Sequence, residues 1–322
     1  DEIARIVKDY GVDLIVNTTV VYRGKGMEQI NVTAPYLLGQ IAKESSVPLI
    51  HFSSTGVSYF TEEEKSGILE PYVTTKMMSV QKLNQLRQEG AKIIIYELPT
   101  VYPSIGGDQF GAPIRWRHAL FMALVFWSRY WFFPLLLLTN KKARHSFVDT
   151  NTIGSAVVAT DKYVSEIDLD GQLYQNEFVI CQPKAVAIKD VIIRAKQAWG
   201  GILFKVHIPY FLVGSFRWVA IHLLTLLIKC FDSEILRFLL TQARWIKVLF
   251  QDTSISSYKR KKLENILQKY GYQPTVATSF LDWVDSINPA YSRKEKLTAQ
   301  PKRLVIIGAG PAALTGAIVA QR

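Results

Sequence analysis

Cysteine is scarce in this sequence, and its scarcity excludes one class of protein. There are only 2 cysteines in 322 residues, Cys181 and Cys230, and no close spacing pairs them. So few thiols cannot form a disulfide framework, and we therefore expect a reducing, cytoplasmic environment. The 5 histidines show no metal-ligand spacing, so we expect neither structural zinc nor another bound metal.

Acidic residues are also in the minority. The chain carries 38 Lys and Arg against 27 Asp and Glu, which gives a formal charge of +11. Such an excess of positive charge predicts an anionic binding partner: a phosphate-bearing cofactor, anionic lipid or nucleic acid. No recognisable nucleic-acid module accompanies the charge, so we do not expect nucleic acid as a partner. Hydrophobic residues make up 49% of the chain, enough for a large globular core and about two domains.

Three short, nearly all-apolar runs predict a parallel sheet that is buried on both faces. They cover residues 13–17, 47–53 and 92–98. An amphipathic helix over residues 1–10 precedes the first run. Helix followed by strand is typical of the middle of a βαβ series. We therefore predict an α/β protein with a partial doubly wound, Rossmann-like sheet, and we expect this chain to begin after the first strands of that sheet.

A hydroxyl-bearing residue follows the second predicted strand, and a tyrosine opens the next predicted helix. Thr55 stands at the carboxyl end of the strand, where open α/β sheets bind ligands. Pro71 begins the helix, and Tyr72 and Lys76 share one helix face because they are four residues apart. The pattern therefore predicts a tyrosine with a cation beside it, close to a ligand-binding edge.

This arrangement suits proton transfer to or from an alcohol or carbonyl oxygen. A phenol ionises near about pH 10, so Tyr72 alone would be a poor base at neutral pH. A neighbouring ammonium and a helix N-terminus both favour the phenolate and lower its pKa. Thr55 would hydrogen-bond the same substrate oxygen. A second pair with this spacing, Tyr258 and Lys262, lies on a cationic helix without a hydroxyl-tipped strand before it, and we interpret it as a solvated face.

In this order the motifs resemble the extended short-chain dehydrogenase/reductases, the NAD-dependent epimerase/dehydratase family. The resemblance covers about residues 1 to 290 and implies that Thr55 is the active-site hydroxyl, Tyr72 the acid/base and Lys76 the ribose contact and pKa modifier. The matching stretches are VDLIVNTTVVY (12–22), NVTAPYLLGQIA (31–42), FSSTGVSY (52–59), PYVTTK (71–76), IIIYELPTVYP (93–103) and RHSFVDTNTIGSAVV (144–158).

The resemblance also implies a cofactor, NAD or NADP, and the residues that contact it. Tyr72 and Lys76 belong to this set, and its other members are Asn17, Thr18, Pro99 and Val101. Asn31 matches the family's helix asparagine, but Pro35 would bend that helix, so we leave Asn31 out of the predicted site.

Long apolar segments follow the predicted catalytic domain. Residues 119–138 contain 17 apolar residues in 20, and residues 206–231 and 231–250 are apolar with cationic interruptions. The sequence leaves two interpretations open: the helices pack as the core of a substrate domain, or they lie in a membrane interface. Their pattern resembles the hydroxysteroid dehydrogenase-like branch of the family.

The last residues predict the start of another domain. A polar linker over residues 292–303 leads to a strand, the spacing Gly308-x-Gly310-x-x-Ala313 and a helix, which can cradle a pyrophosphate. This second Rossmann unit resembles the opening of FAD-dependent oxidoreductases, so FAD is a possible second cofactor. The predicted domains are residues 1–201 (catalytic), 202–291 (helical, hydrophobic, substrate-binding), 292–303 (linker) and 304–322 (FAD-type unit).

The resulting functional prediction is hydride transfer by NAD(P) at a secondary alcohol or ketone of an apolar, sterol-like or lipid-like substrate. Epimerisation or dehydration of a nucleotide sugar is the alternative enzymatic function. The alternative outside the enzymes is a non-catalytic, membrane-associated scaffold protein that keeps the fold. Because no glycine-rich turn precedes the first predicted strand, we also expect the chain as it stands to bind NAD poorly and to be inactive.

Overall fold

A computed structural model gives the fold of the chain. It describes residues 2–21, 24, 26–59, 71–102, 135–136, 143–166, 171–191, 194, 203–204, 210–231, 233, 235–236, 239–240, 243, 252, 254–274 and 280–282.

The described strands are, in chain order, β1 (Ile15–Asn17), β2 (Leu49–Ser54), β3 (Ile93–Leu98), β4 (Thr100–Tyr102), β5 (Leu135–Leu136), β6 (Arg144–His145), β7 (Phe147–Asp149), β8 (Glu177–Val179), β9 (Val186–Ala187) and β10 (Leu203–Phe204). The described α-helices are α1 (Glu2–Asp9), α2 (Ala34–Ser45), α3 (Gly56–Tyr59), α4 (Pro71–Gln88), α5 (Thr150–Glu166), α6 (Gln172–Gln175), α7 (Tyr210–Cys230) and α8 (Ser257–Leu267). A π-helical turn (Gln29–Thr33) precedes α2, and a 3₁₀ turn (Gln268–Tyr270) follows α8.

A four-stranded parallel sheet with the order β1-β2-β3-β8 forms the centre of the molecule. Its first three strands are those predicted from the apolar runs, so the doubly wound, Rossmann-like α/β fold is confirmed. Three smaller strand pairs accompany the sheet: β4 with β7 and β5 with β10 are parallel, and β6 with β9 is antiparallel. The pair β4–β7 continues from the carboxyl end of β3, because only Pro99 separates β3 from β4.

Alternating side chains of the central strands enter two separate apolar clusters, one on each face of the sheet. Ile50 and Ile94 pack on one face with residues of α5 and α8. Leu49 and Ile93 pack on the other face with residues of α1, α2 and α4. Strands that are buried on both faces must be apolar throughout, which explains why the sequence shows continuous runs rather than alternation. The result is a three-layer α/β/α arrangement.

Helix α4 lies directly on the sheet because its buried residues recur at helical spacing. Val73, Val80 and Leu83 are all buried. Gly39 of α2 allows that helix to approach closely: a Cβ there would lie 2.7 Å from Cδ1 of Leu86 in α4. The packing of α2 against α4 fixes the position of the helix that carries Tyr72 and Lys76.

The apolar segments and the C-terminal unit are only partly covered by the described residues. Most of residues 119–138 and all of residues 292–322 lie outside them, and the predicted domain boundaries stay predictions. Among the helices that the structure describes, none has both the length and the apolar character to cross a membrane.

Candidate functional site

The carboxyl ends of the first three strands meet at one edge of the sheet. The parallel register places Asn17 beside His51, and His51 beside Ile95. Thr55 comes directly after β2 and is buried, with only 2% of its surface exposed. Its backbone N–H donates to the carbonyl of Leu98 at 3.0 Å, and its hydroxyl donates to the same oxygen at 3.4 Å. The end of β3 therefore fixes Thr55 at the edge where ligands of such sheets bind.

Helix α4 brings the predicted tyrosine and lysine to the same edge. Lys76 is buried, and its ammonium donates to the carbonyl of Phe52 in β2 at 3.0 Å. Burial lowers the pKa of Lys76 to about 8, so the amine still carries its charge at neutral pH. Tyr72 is half-buried and lies one helical turn before Lys76. The structure thus places Thr55 and Lys76 at this edge of the sheet, with Tyr72 one helical turn before Lys76.

The other predicted cofactor contacts extend along this edge. Asn17 and Thr18 are buried at the end of β1, and Asn17 accepts hydrogen bonds from the N–H and hydroxyl of Thr19 at 3.0 and 2.7 Å. Pro99 is buried between β3 and β4, and Val101 pairs with Val148 of β7. The remaining three predicted contacts, Gly308, Gly310 and Ala313, lie outside the described residues.

Asn31, which we left out of the predicted site, connects the segment after β1 to the helix that carries Tyr72 and Lys76. It is fully buried in the π-helical turn, where it accepts from the N–H of Val21 at 2.8 Å and donates to the Val21 carbonyl at 2.7 Å. It also donates to Thr75 of α4 at 3.1 Å. Pro35 does not displace it, because the proline stands at the start of α2 and the turn before it is π-helical. The match of Asn31 to the helix asparagine of the resembled family was the sequence signal that could have included it in the prediction.

Ser53 offers a polar atom that fits a bound nucleotide. Its hydroxyl is buried and has no hydrogen-bond partner within the described part of the chain. The neighbouring carbonyl, that of Phe52, holds the Lys76 ammonium. A buried hydroxyl without a partner is costly unless a ligand or water satisfies it. Together with the Lys76 ammonium it suits a ligand that carries hydroxyl groups, such as the ribose of a nicotinamide nucleotide.

The second tyrosine–lysine pair belongs to a different environment. Tyr258 on α8 is 78% exposed. Lys262 is also exposed, but its ammonium donates to the side chain of Asn176 at 2.6 Å and lies 5.6 Å from the ring centre of Phe178. The interpretation of this pair as a surface feature is confirmed, although Lys262 is anchored to the protein rather than free in solvent.

The sheet order and helix layers define the class of this protein: it is a doubly wound, Rossmann-like α/β protein. Proteins of this class typically bind ligands at the carboxyl edge of the sheet. No protein-family model matches the chain, and no curated protein matches it.

Several solved structures share this fold. The UDP-glucuronic acid 4-epimerase of Bacillus cereus, in complex with UDP-glucuronic acid and NAD, is similar over 90% of this chain and 78% of its own, with a TM-score of 0.53 and 15% identity. The UDP-glucose 4-epimerase of Thermus thermophilus, in complex with NAD, is similar over 90% of this chain and 80% of its own, with a TM-score of 0.50 and 12% identity. For an epimerase from Methanothermobacter thermautotrophicus the corresponding shares are 88% and 73%, with a TM-score of 0.53 and 11% identity. At these identities the similarity establishes the fold.

Proposed function

We propose that this protein is an NAD-dependent enzyme of the epimerase type that acts on a nucleotide sugar. The observation that carries the proposal is the position of Thr55, Tyr72 and Lys76. Backbone carbonyls of β3 and β2 hold Thr55 and Lys76, and Tyr72 lies one helical turn before Lys76. Solved structures of this fold include 4-epimerases in complex with NAD.

The three side chains have distinct roles in the proposed reaction. Tyr72 takes the proton from a sugar hydroxyl as that carbon becomes a ketone, and it returns the proton when the alcohol re-forms. Thr55 holds the same oxygen by a hydrogen bond throughout. Lys76 supplies a nearby positive charge, which favours the phenolate form of a tyrosine. A proton therefore moves between substrate oxygen and Tyr72 twice, in opposite directions.

The protein would hold the nucleotide cofactor along the edge formed by β1 and β2. Asn17 and Thr18 would meet it at the end of β1, while Lys76 and Ser53 would meet the ribose next to the reacting carbon. Bound NAD would supply the hydride acceptor in the first half of the reaction and the hydride donor in the second. The protein's own task is to keep the reacting oxygen against Tyr72 and Thr55 through both halves.

A nucleotide sugar suits this chain better than the sterol-like or lipid-like substrate expected from the apolar segments. The net charge of +11 favours an anionic ligand, and a nucleoside diphosphate supplies such a charge. Solved structures that share the fold include sugar epimerases, whereas the expectation of a hydroxysteroid branch rests on the apolar segments over residues 119–138, 206–231 and 231–250. Oxidation of a secondary alcohol without its return is the second candidate, because the same three residues would serve it.

The accumulation of NADH separates these candidates. The protein encoded by the longest reading frame that contains this sequence is used for the activity assay. It is incubated with NAD and with UDP-glucose, UDP-glucuronic acid or a simple secondary alcohol. An epimerase converts the UDP-sugar to its 4-epimer, seen by NMR, while NADH absorbance stays far below one equivalent. NADH that grows with turnover on an alcohol points to a dehydrogenase. Neither product in any assay, with no NAD binding by calorimetry, contradicts the proposal and leaves a non-catalytic role.

Membrane contact is a separate proposal, carried by the surface of α7. Several large apolar side chains of this helix are exposed, among them Phe216 (70%), Trp218 (62%) and Leu226 (59%). Phe216 and Leu226 share one helix face with Val219 and Leu223, because these four exposed residues recur at helical spacing. A basic protein with such a face suits the interface of an anionic bilayer. Packing against another part of the chain is the alternative.

A further inference from the structure

A chain of buried hydrogen bonds crosses from the end of β1 to helix α4. The Asn17 amide nitrogen lies 3.1 Å from Nδ1 of His51, and the other ring nitrogen of His51 lies 3.3 Å from the hydroxyl of Ser79. Each of these three residues is at most 1% exposed. His51 is the polar exception in the otherwise apolar first part of β2, Leu49–Phe52. An imidazole at such a place must have its hydrogen bonds satisfied, and here both are.

The neighbours of Asn17 determine which nitrogen of His51 carries the proton. The Asn17 carbonyl oxygen accepts from both the N–H and the hydroxyl of Thr19. The amide nitrogen must therefore face His51 and donate to Nδ1. A neutral ring that accepts at Nδ1 holds its proton on Nε2 and donates it to Ser79. The hydrogen bonds run in one direction, from Asn17 through His51 to Ser79.

The electrostatic surroundings keep this ring neutral. Burial, followed by the positive charges of Lys76 and Arg87, holds the pKa of His51 well below its ordinary value. An imidazolium would lose its acceptor at Nδ1 and would leave the Asn17 amide without a partner. The ring is thus a permanent acceptor on one side and a permanent donor on the other.

We propose that His51 is a positioning residue that fixes the Asn17 side chain, and with it residues 18–21, relative to helix α4. We call residues 18–21 the β1 turn. Asn31 attaches the far end of this turn to α4 through Val21 and Thr75. The turn is then held to α4 at Thr75 and at Ser79, on either side of Lys76. The consequence for function rests on the proposed activity: a nucleotide that binds against the β1 turn meets a surface already aligned with Tyr72 and Lys76.

The first test needs no variant. In the full chain labelled at histidine nitrogens, His51 should give the signature of the Nε2–H tautomer. That signature should not change between about pH 5 and 8, the range in which an ordinary histidine titrates. The amide of Thr19 should exchange slowly with solvent, although it lies in a turn, because Asn17 accepts from it. An Nδ1–H ring, a titration in this range, or a rapidly exchanging Thr19 amide would each overturn the proposal.

The second test compares variants by hydrogen exchange of the β1 turn. His51→Leu removes both hydrogen bonds and should speed exchange there by about tenfold, the factor that corresponds to losing roughly one buried hydrogen bond. His51→Asn keeps an acceptor at the δ position for Asn17 and should restore most of the protection. Leu86→Ala, on the same helix and in the same apolar cluster as the sheet, is the matched control for general loss of stability. It should affect exchange across the core without singling out the turn.

A uniform acceleration in His51→Leu, equal to that in Leu86→Ala, would reduce His51 to an ordinary core residue. The same outcome would follow if His51→Asn gave no rescue. Failure of the proposed function is recognised separately. If the protein used in the activity assay shows the predicted tautomer and turn protection, yet neither binds NAD nor converts a UDP-sugar, the positioning role is retained and the enzymatic role is lost. Where NAD does bind, His51→Leu should raise the dissociation constant for NAD. Leu86→Ala should bind NAD with an affinity near that of the wild type.

Discussion

At the scale of single residues, two side chains of the candidate site are deeply buried and fixed by hydrogen bonds. Thr55 and Lys76 are each 2% exposed, and both are held by backbone carbonyls of the central sheet. The hydroxyl and the ammonium are therefore fixed before any ligand arrives, which reduces the entropy that binding must overcome. Tyr72 is only half-buried, at the start of α4, the helix that carries Lys76.

Replacement of Tyr72 by phenylalanine tests the acid/base role. In the protein used for the activity assay, Tyr72→Phe removes one ionisable hydroxyl and little volume, so kcat should fall by about 10²-fold or more while the fold and NAD affinity are kept. Tyr258→Phe is the matched control, because Tyr258 has the same spacing to a lysine but lies on the exposed face of α8. A Tyr72→Phe enzyme that keeps more than about a tenth of the wild-type kcat would contradict the assignment.

At the scale of elements, the start of α5 depends on one buried carboxylate. Asp149 accepts from the N–H of Thr152 at 2.8 Å and from the hydroxyl of Thr152 at 2.7 Å. The side chain of Gln182 donates to the same carboxylate at 3.4 Å. Asp149 ends β7, which lies against the Pro99–Tyr102 segment beside the site, so this cap connects the position of α5 to the edge of the site.

Loss of that cap should be costly. Asp149→Ala should lower the free energy of unfolding by at least about 2 kcal/mol, since it removes a helix cap and leaves buried donors unpaired. Ser256→Ala is the control: Ser256 caps α8 by accepting from the N–H of Lys259, but it is exposed, so its loss should cost no more than about 1 kcal/mol. Equal losses in the two variants, measured by denaturant unfolding, would contradict the importance of burial at Asp149.

The exposed apolar face of α7 either contacts a membrane or packs against another part of the chain. Binding to vesicles separates these two interpretations. The protein should co-sediment with vesicles of phosphatidylserine and phosphatidylcholine at low salt, because the face is apolar and the chain is basic. Leu223→Glu with Leu226→Glu should abolish the binding, because both residues lie on the apolar face. Tyr258→Glu changes an exposed aromatic residue on another helix and should leave the binding intact. An absence of co-sedimentation in the wild-type protein would leave the packing alternative.

At the scale of the whole molecule, buried neutral histidines link stability to pH. Burial lowers the pKa of His145 from 6.5 to about 4, and its Nε2 lies 2.9 Å from the hydroxyl of Thr100. The unfolded chain therefore binds a proton near pH 6.5, whereas the folded chain binds it only near pH 4. The stability contributed by the neutral ring is fully present above pH 6.5 and is lost as the pH falls through this window. His51 acts in the same direction, because its pKa is also lowered by burial.

The pH dependence of unfolding checks this linkage. Between pH 6.5 and about 4 the free energy of unfolding should fall, with about 3 kcal/mol of the loss due to His145. His145→Gln can keep the hydrogen bond to Thr100 without titrating, so its loss over the same window should be smaller by that amount. An identical pH slope in the variant and the wild-type protein, measured in urea, would show that His145 does not contribute.

The amino-acid sequence by itself determined the first three strands of the central sheet and their parallel direction. Runs of apolar residues indicate strands that are buried on both faces, and the helices between them require parallel connections. Thr55, Tyr72 and Lys76 could also be predicted, because a hydroxyl at a strand end and a helical spacing of four are local features.

Only the tertiary structure decided the polar connections within the site. Asn31 was left aside because of Pro35, and the π-helical turn that accommodates both is a consequence of packing that the sequence pattern does not show. His51 had the appearance of a single polar residue in a strand, since its partners Asn17 and Ser79 are 34 and 28 residues away. Buried hydrogen bonds depend on which side chains the fold brings within about 3 Å of one another, and no spacing along the chain encodes that distance.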